Sequence, residues 1–298
     1  MMAIRMKEIA QIIKDENPDI ICLQEMAPEA LALLRANMGN LSHKYFEFNE
    51  NLFPDRTILD YNQVHGRDLE VYILSKHKPH SVYQYTLSGN LGYPNDIMII
   101  VFSNLVIVNC YLQAGSKYSS GQEHKWFHYS RCRIEELRAI KNILNTEQFK
   151  HKKIIIVGDF NFNISSSEES LSEWPENIII SEMNLLDTWK ELHPGEEGLT
   201  ENTDINFMRY NTKFLEKKFR YDGIFYKNTE ENTSVLTPTS IELIGTTPIN
   251  ISEGLNYRFI EYLSDPTRKD ELKGIDSETN RVNIHPSDHF GLVANFTI

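Results

Sequence analysis

The chain has 298 residues, 41% of them hydrophobic and 24% charged, with a formal net charge of -12. That length fits one large α/β or β-sandwich domain as well as two small ones, and no linker divides it. The acidic balance argues against sequence-indifferent binding to nucleic acid through a basic surface, because such affinity comes from Lys and Arg displacing counterions. An anionic phosphate substrate needs local help at an acidic site, and a divalent cation supplies it.

The first element reads as a helix from Ile4 to Lys14, with Ile9, Ile12 and Ile13 on one face and Pro18 ending it. Arg5, Lys7, Glu8, Lys14 and Asp15 interrupt its apolar residues, which rules against a signal peptide, so secretion is not expected. Ile20 to Leu23 is a short continuous apolar run, the pattern of a strand buried on both faces, and it stops at Gln24-Glu25. A second helix is expected over Pro28 to Met38, with proline at its start and Gly39 at its end.

From residue 69 the period changes. Strands are predicted over Leu69 to Leu74, Asp96 to Phe102 and Leu105 to Leu112, the last two joined as a hairpin through Ser103-Asn104. The longest apolar stretches, Ile97 to Phe102 and Leu105 to Val108, fall far short of the roughly 20 residues of a membrane span. A helix from about Tyr129 to Leu144 precedes a strand at Ile154 to Val157. A polar loop at Ser165 to Ser172 and a short apolar stretch at Leu185-Leu186 follow, then strands at Phe219 to Phe225 and Ser240 to Ile244. The polar stretch 250–285, with Tyr257, Arg258, Phe259 and Tyr262 interspersed, reads as an insertion in a single domain 1–298, either a lid that stacks on an aromatic or apolar part of a substrate or a surface loop. Cys22, Cys110 and Cys132 are an odd number without metal-type spacing, consistent with a reducing intracellular compartment, cytoplasm or nucleus.

Four carboxylates sit at the ends of strand-like runs. Glu25 closes Ile-Ile-Cys-Leu-Gln-Glu, where it either binds a hard cation or caps the next helix. Asp159 and Asn161 follow Ile154 to Val157, two residues apart on one side of the chain; Asp159 suits a proton acceptor and Asn161 a donor to phosphate, although Gly-Asp-x-Asn is also turn chemistry. Asp222, flanked by apolar residues, pairs with His289 or with Arg220 or a nearby lysine. Asp288-His289 opens the last alternating run, through Ala294, Phe296 and Ile298. No zinc-type His/Cys cluster and no Gly-x-Ser-x-Gly elbow occurs.

Pro18-Asp-Ile-Ile-Cys-Leu-Gln-Glu25, Gly158-Asp-Phe-Asn161, Arg220-Tyr-Asp222 and Ser287-Asp-His289, in this order, resemble the endonuclease/exonuclease/phosphatase superfamily. Leu186-Asp-Thr-Trp189, Phe219 to Phe225, Thr239 to Gly245 and Pro286 to Leu292 are most similar to the 5′-tyrosyl-DNA phosphodiesterases. Tyr111-Leu-Gln-Ala114 and Gly158 to Phe162 look instead like neutral sphingomyelinases. The resemblance implies a four-layer α/β/β/α sandwich of two mixed β-sheets flanked by helices. It also implies a monomeric Mg²⁺ (or Mn²⁺) phosphodiesterase acting on a DNA or RNA end, with a sphingomyelinase-like lipid or small-molecule phosphodiesterase as the alternative. By the same resemblance Glu25 binds the metal with Asp288 in support, Asp159 deprotonates the attacking water, and Asn161 contacts the phosphate. His289, steadied by Asp222, stabilises the developing charge. Two departures stand out. The family pattern opens on a strand carrying an asparagine, whereas this sequence opens on the following helix, so an incomplete metal site in a non-catalytic binding module is the third reading. Tyr111 stands where those enzymes usually carry His, and a phenol is no cation at neutral pH.

Overall fold

The computed structural model describes residues 1–47, 71–87, 95–115, 123–165, 172–229, 234–249, 266–276 and 281–298. Helix α1 (Met2–Glu16) ends on Asn17 in the left-handed conformation, φ 45°, whose N–H closes back on Ile13 O at 2.9 Å. Strand β1 (Ile20–Leu23) and helix α2 (Pro28–Met38) follow, the latter with proline in its first turn and Gly39 (φ 59°) at its end. Strands β2 (Phe46–Glu47) and β3 (Tyr72–Ser75) complete a three-stranded sheet of order β1-β3-β2.

A six-stranded sheet forms the centre. It contains β4 (Ser81–Leu87), β5 (Asn95–Val101), β6 (Leu105–Tyr111), β7 (Lys153–Asp159), β8 (Leu186–Asp187) and β11 (Asp222–Lys227), in the order β4-β5-β6-β7-β11-β8. The β5–β6 hairpin closes with Phe102 N–H on Leu105 O, and β6 runs parallel to β7 because helix α3 (Glu123–Leu144) carries the chain between them. Helices α4 (Glu176–Glu182) and α5 (Thr188–Leu192) flank β8. Strands β9 (Glu201–Asn202) and β10 (Lys218–Phe219) pair on either side of helix α6 (Phe207–Lys213). Strand β12 (Thr237–Ile244) pairs with the last strand, β15 (Gly291–Thr297), and β13 (Ile275–Asp276) with β14 (Arg281–Val282).

The alternation of side chains along the central strands builds two cores. Ile97, Ile99, Val106, Val108, Ile154 and Ile156 face α3 and α4, while Met98, Ile100, Ile107 and Ile155 face the smaller sheets, α1 and α2. Ile97, Ile99, Val106 and Val108 are fully buried, each worth about 2 kcal/mol of transfer free energy. The result is the four-layer α/β/β/α arrangement, although the second β layer is not the expected mixed sheet: among the described residues it consists of separate antiparallel pieces, β1-β3-β2 and β12-β15. No helix among the described residues is long and apolar enough to cross a membrane.

Strand β4 and helices α4 and α6 have no counterpart among the expected elements, and three expected segments differ from the structure. Helix α3 starts at Glu123 rather than near Tyr129, because Trp126 is buried in the first core and extends the apolar face one turn back. The strand expected over Phe219 to Phe225 is broken at Arg220-Tyr221, where the Arg220 N–H bonds Asn163 Oδ1 (3.1 Å) and the Tyr221 N–H bonds Thr200 Oγ1 (3.0 Å). The strand near residue 70 is described only as Tyr72–Ser75, Leu69 lying outside the described residues. Tyr257, Arg258, Phe259 and Tyr262 also lie outside them. The described part of that insertion packs on α6, with Asn211 and the Lys273 backbone exchanging two 3.0 Å hydrogen bonds and Arg268 3.9 Å from the Phe214 ring centroid.

Candidate active site

The strand ends that carry the sequence-expected acids converge. Tyr111 ends β6, Asp159 ends β7 beside it in the parallel register, and Asp222 starts β11 directly opposite Asp159. Glu25, Tyr111, Asp159, Asn161, Asp222, Asp288 and His289 all line one cavity of about 1470 Å³. The cavity runs from these residues back under α1, between the edges of β1 and β15 that pair with no other strand among the described residues.

Backbone geometry at the site is unusual. Glu25 (φ 52°) and Asn161 (φ 55°) are both in the left-handed region, a conformation that non-glycine residues hold only where their surroundings enforce it. At Asn161 the enforcement is visible: its N–H bonds Asp159 Oδ1 (2.8 Å) and its amide Nδ2 donates to Leu112 O (2.8 Å). One of the two amide hydrogens expected to meet a phosphate is therefore committed to the backbone. Near Glu25, the fully buried Asn109 donates to Leu23 O (3.0 Å) and Tyr72 O (2.9 Å) and accepts from Gln24 (2.6 Å), tying the end of β1 to β6. The Glu25 carboxylate accepts from the Tyr111 hydroxyl.

His289 Nδ1–H donates to Asp222 Oδ2 at 2.9 Å, with Asp159 Oδ2 at 4.0 Å, so Nε2 is the nitrogen left for a substrate. Arg220, the other partner open to Asp222 on sequence grounds, bonds Asp187 instead through two nitrogens, at 2.9 and 2.5 Å. Burial alone would lower the His289 pKa, but the charge and hydrogen bond of Asp222, then Asp159 and Asp288, hold it well above the usual histidine value. Burial, and then repulsion from Asp222, push the Asp159 carboxyl well above its ordinary range, against the opposing pull of His289. At Asp288 burial would also raise the pKa, yet the charges of His289, Arg209 and Arg5 outweigh it and leave the group below its ordinary value.

Sequence reasoning missed several residues that build this geometry. Thr200, fully buried, accepts from the N–H groups of Tyr221 and Asp222 at 3.0 Å each through Oγ1 and from Phe290 N–H (2.8 Å) through its carbonyl, so it joins the start of β11 to the residue after His289. Asn206 caps α6 by accepting from Met208 N–H (3.2 Å) and donates to Ser287 O (2.8 Å), latching that helix to the Asp288-His289 loop. Arg5 Nη2 and Arg209 Nη1 each lie 3.7 Å from the Asp288 carboxylate. Polar residues in a loop or on a helix carry no periodic signal, and only their contacts identify them.

The donor set fits a divalent cation. Ligand atoms of Asp159, Asp222 and His289 lie within 4.8 Å of one another, but the Asp222 bond keeps His289 protonated and without a lone pair for a metal, which leaves the acids, Glu25 and Asp288 among them, as the oxygen donors of this cavity. Four oxygen-donor acids around one cavity suit a hard ion such as Mg²⁺, and a cation there would offset the repulsion from Asp222 that, after burial, raises the Asp159 pKa.

No curated protein sequence matches the chain. Among solved structures, D. rerio TDP2 complexed with single strand DNA product superposes with a TM-score of 0.63 at 17% identity, covering 100% of this chain and 93% of that one. Truncated Caenorhabditis elegans TDP2 gives 0.57 at 18% identity, covering 100% and 91%. A beta toxin mutant from Staphylococcus aureus with bound magnesium ions gives 0.64 at 17% identity, covering 98% and 91%. These likenesses show the shared fold. The model of the Endonuclease/Exonuclease/phosphatase family matches residues 2–240, most of the length, and the chain belongs to that family.

Proposed function

We propose that the chain is a Mg²⁺-dependent phosphodiesterase (Mn²⁺ as the alternative ion) that cleaves a phosphoester by attack of water, with a 5′-tyrosyl or terminal diester on DNA or RNA as its substrate. The observation that carries this reading is the Asp222–His289 pair set against Asp159 at three converging strand ends. Asp159, with its pKa raised, is the stronger base and takes the proton of the attacking water. His289, held cationic by Asp222, presents Nε2 to the phosphoryl oxygens and stabilises the charge that develops on them. Asn161 supplies its remaining amide hydrogen to the phosphate, and Tyr111 orients Glu25. Glu25, with Asp288 in support, would hold the metal, which when bound neutralises phosphate charge and lowers the pKa of coordinated water.

The test is hydrolysis of a 5′-tyrosyl oligonucleotide with Mg²⁺ by the wild-type chain, Asp159→Asn and His289→Ala. Each substitution is expected to lower kcat by about 10² to 10³, and equal rates in all three would sink the assignment. A lipid phosphodiesterase is the second reading, favoured by the apolar run of the cavity between β1 and β15. Cleavage of sphingomyelin with none of the oligonucleotide selects it. Failure to cleave either substrate or to bind Mg²⁺ selects a non-catalytic binding module.

A further inference from the structure

Four carboxylates, Glu25, Asp159, Asp222 and Asp288, face the cavity, and a phosphodiester anion entering it meets repulsion unless cations are placed to receive it. His289 is one cation, already paired with Asp222. Lys217 lines the cavity too, but it is buried and held by Glu201 at 3.3 Å. Arg5 and Arg209 differ. Each stands 3.7 Å from Asp288, and Arg209 Nε also lies 3.7 Å from Glu201, all beyond the 2.7–2.9 Å of a charge-assisted hydrogen bond, so these carboxylates attract the guanidinium groups without consuming their donors. The Arg5 and Arg209 side chains are 27% and 39% exposed, accessible from the cavity that Asp159 and His289 line.

The two arginines come from opposite parts of the chain yet are fixed to the same loop. Arg5 reaches it from α1, where its Nε donates to Pro286 O at 2.8 Å and leaves the Nη groups facing Asp288. Arg209 reaches it from α6, whose cap Asn206 donates to Ser287 O at 2.8 Å. The Arg5 guanidinium is thus bonded to the loop that carries His289, and Arg209 stands on a helix bonded to the same loop. A planar guanidinium presents paired N–H donors that match two phosphate oxygens, which a lysine does not.

We propose that Arg5 and Arg209 form a two-guanidinium clamp that binds the non-bridging oxygens of the substrate phosphodiester beside His289. Asp288 positions the pair before substrate arrives. The proposal deepens the phosphodiesterase reading and rests on it for the identity of the substrate, while the phosphate-binding property has its own readout. The competing view is that the arginines only neutralise Asp288 and tie two helices to a loop.

The test uses the full chain and Arg5→Ala, Arg209→Ala, the double variant, and Arg209→Lys. Two quantities are measured: binding of inorganic phosphate by ³¹P NMR titration, and KM and kcat on the tyrosyl oligonucleotide. Each alanine variant is expected to weaken phosphate binding and raise KM about tenfold, the size of one charged hydrogen bond, with kcat changed less than about threefold. The double variant should lose more affinity than either single variant, short of the product of the two effects because both arginines share Asp288, and Arg209→Lys should recover part of the affinity. Unchanged phosphate affinity in both single variants overturns the clamp, as does a fall in thermal stability and kcat with KM unmoved. If the wild-type chain cleaves no diester, the phosphodiesterase reading fails while the ³¹P titration still decides whether the arginines hold phosphate.

Discussion

Glu136 lies on α3, 2% exposed, and accepts from Asn95 Nδ2 at 2.6 Å and from the Gln113 N–H at 2.9 Å. Burial raises its pKa from 4.5 to about 7, against the opposing effect of those hydrogen bonds and of Arg133. Between these values the folded chain holds a proton that the unfolded chain has released, so this contribution to stability is full below pH 4.5 and is lost as pH rises to about 7. The whole interval corresponds to about 3 kcal/mol. Glu136→Gln removes the titration while keeping the packing: its carbonyl accepts from Gln113, and Asn95 turns its own oxygen toward the new amide. The variant should match the wild type within about 1 kcal/mol at pH 5 and exceed it by up to about 3 kcal/mol at pH 8. Urea denaturation at pH 5, 6, 7 and 8 measures this, and a stability difference that stays constant across the series refutes the reasoning. The effect bears on the site because Gln113 follows Leu112, whose carbonyl receives the Asn161 amide, and Arg133 Nη1 donates to Gln113 O at 3.1 Å.

Gly158→Ala should abolish soluble expression or cost more than about 3 kcal/mol, because the backbone there has φ 149° and an added Cβ would sit 1.9 Å from Cys110 O in the neighbouring parallel strand. A thermal melt within about 2 °C of wild type would contradict it. Asp187→Ala leaves the buried Arg220 guanidinium without its two-point partner and α5 without its cap, and should cost about 3 to 5 kcal/mol. Asp187→Asn keeps the cap and should recover part of the loss, which chemical denaturation of both variants resolves.

How far the site could be read in advance depended on which residues end apolar runs. Glu25, Asp159 and Asp222 are legible because a carboxylate follows or begins a stretch of aliphatics, and that local pattern survives into the fold as strand ends. Asp222 has His289, Arg220 and nearby lysines as candidate partners in the sequence, and nothing local separates them. The choice of His289 over Arg220 follows from the break in the chain at Arg220-Tyr221, which turns the arginine toward Asp187. Thr200, Arg5, Arg209 and Asn206 gave no signal, since a lone polar residue in a loop or on a helix face is written the same way whether it is solvated or at the centre of a site.

By itself the sequence determined the layered α/β class, through the switch between helical and two-residue periods, and it determined the family, through short motifs whose spacing spans the chain. Tertiary structure decided the pairing that periodicity and spacing leave open. It set Asp222 on His289 and Glu25 on Tyr111, left an open cavity between the edges of β1 and β15, and brought two arginines 204 residues apart, Arg5 and Arg209, onto one aspartate. The physical reason is that periodicity records which face of an element is buried, whereas charge pairing and pKa depend on distances between elements that only packing fixes.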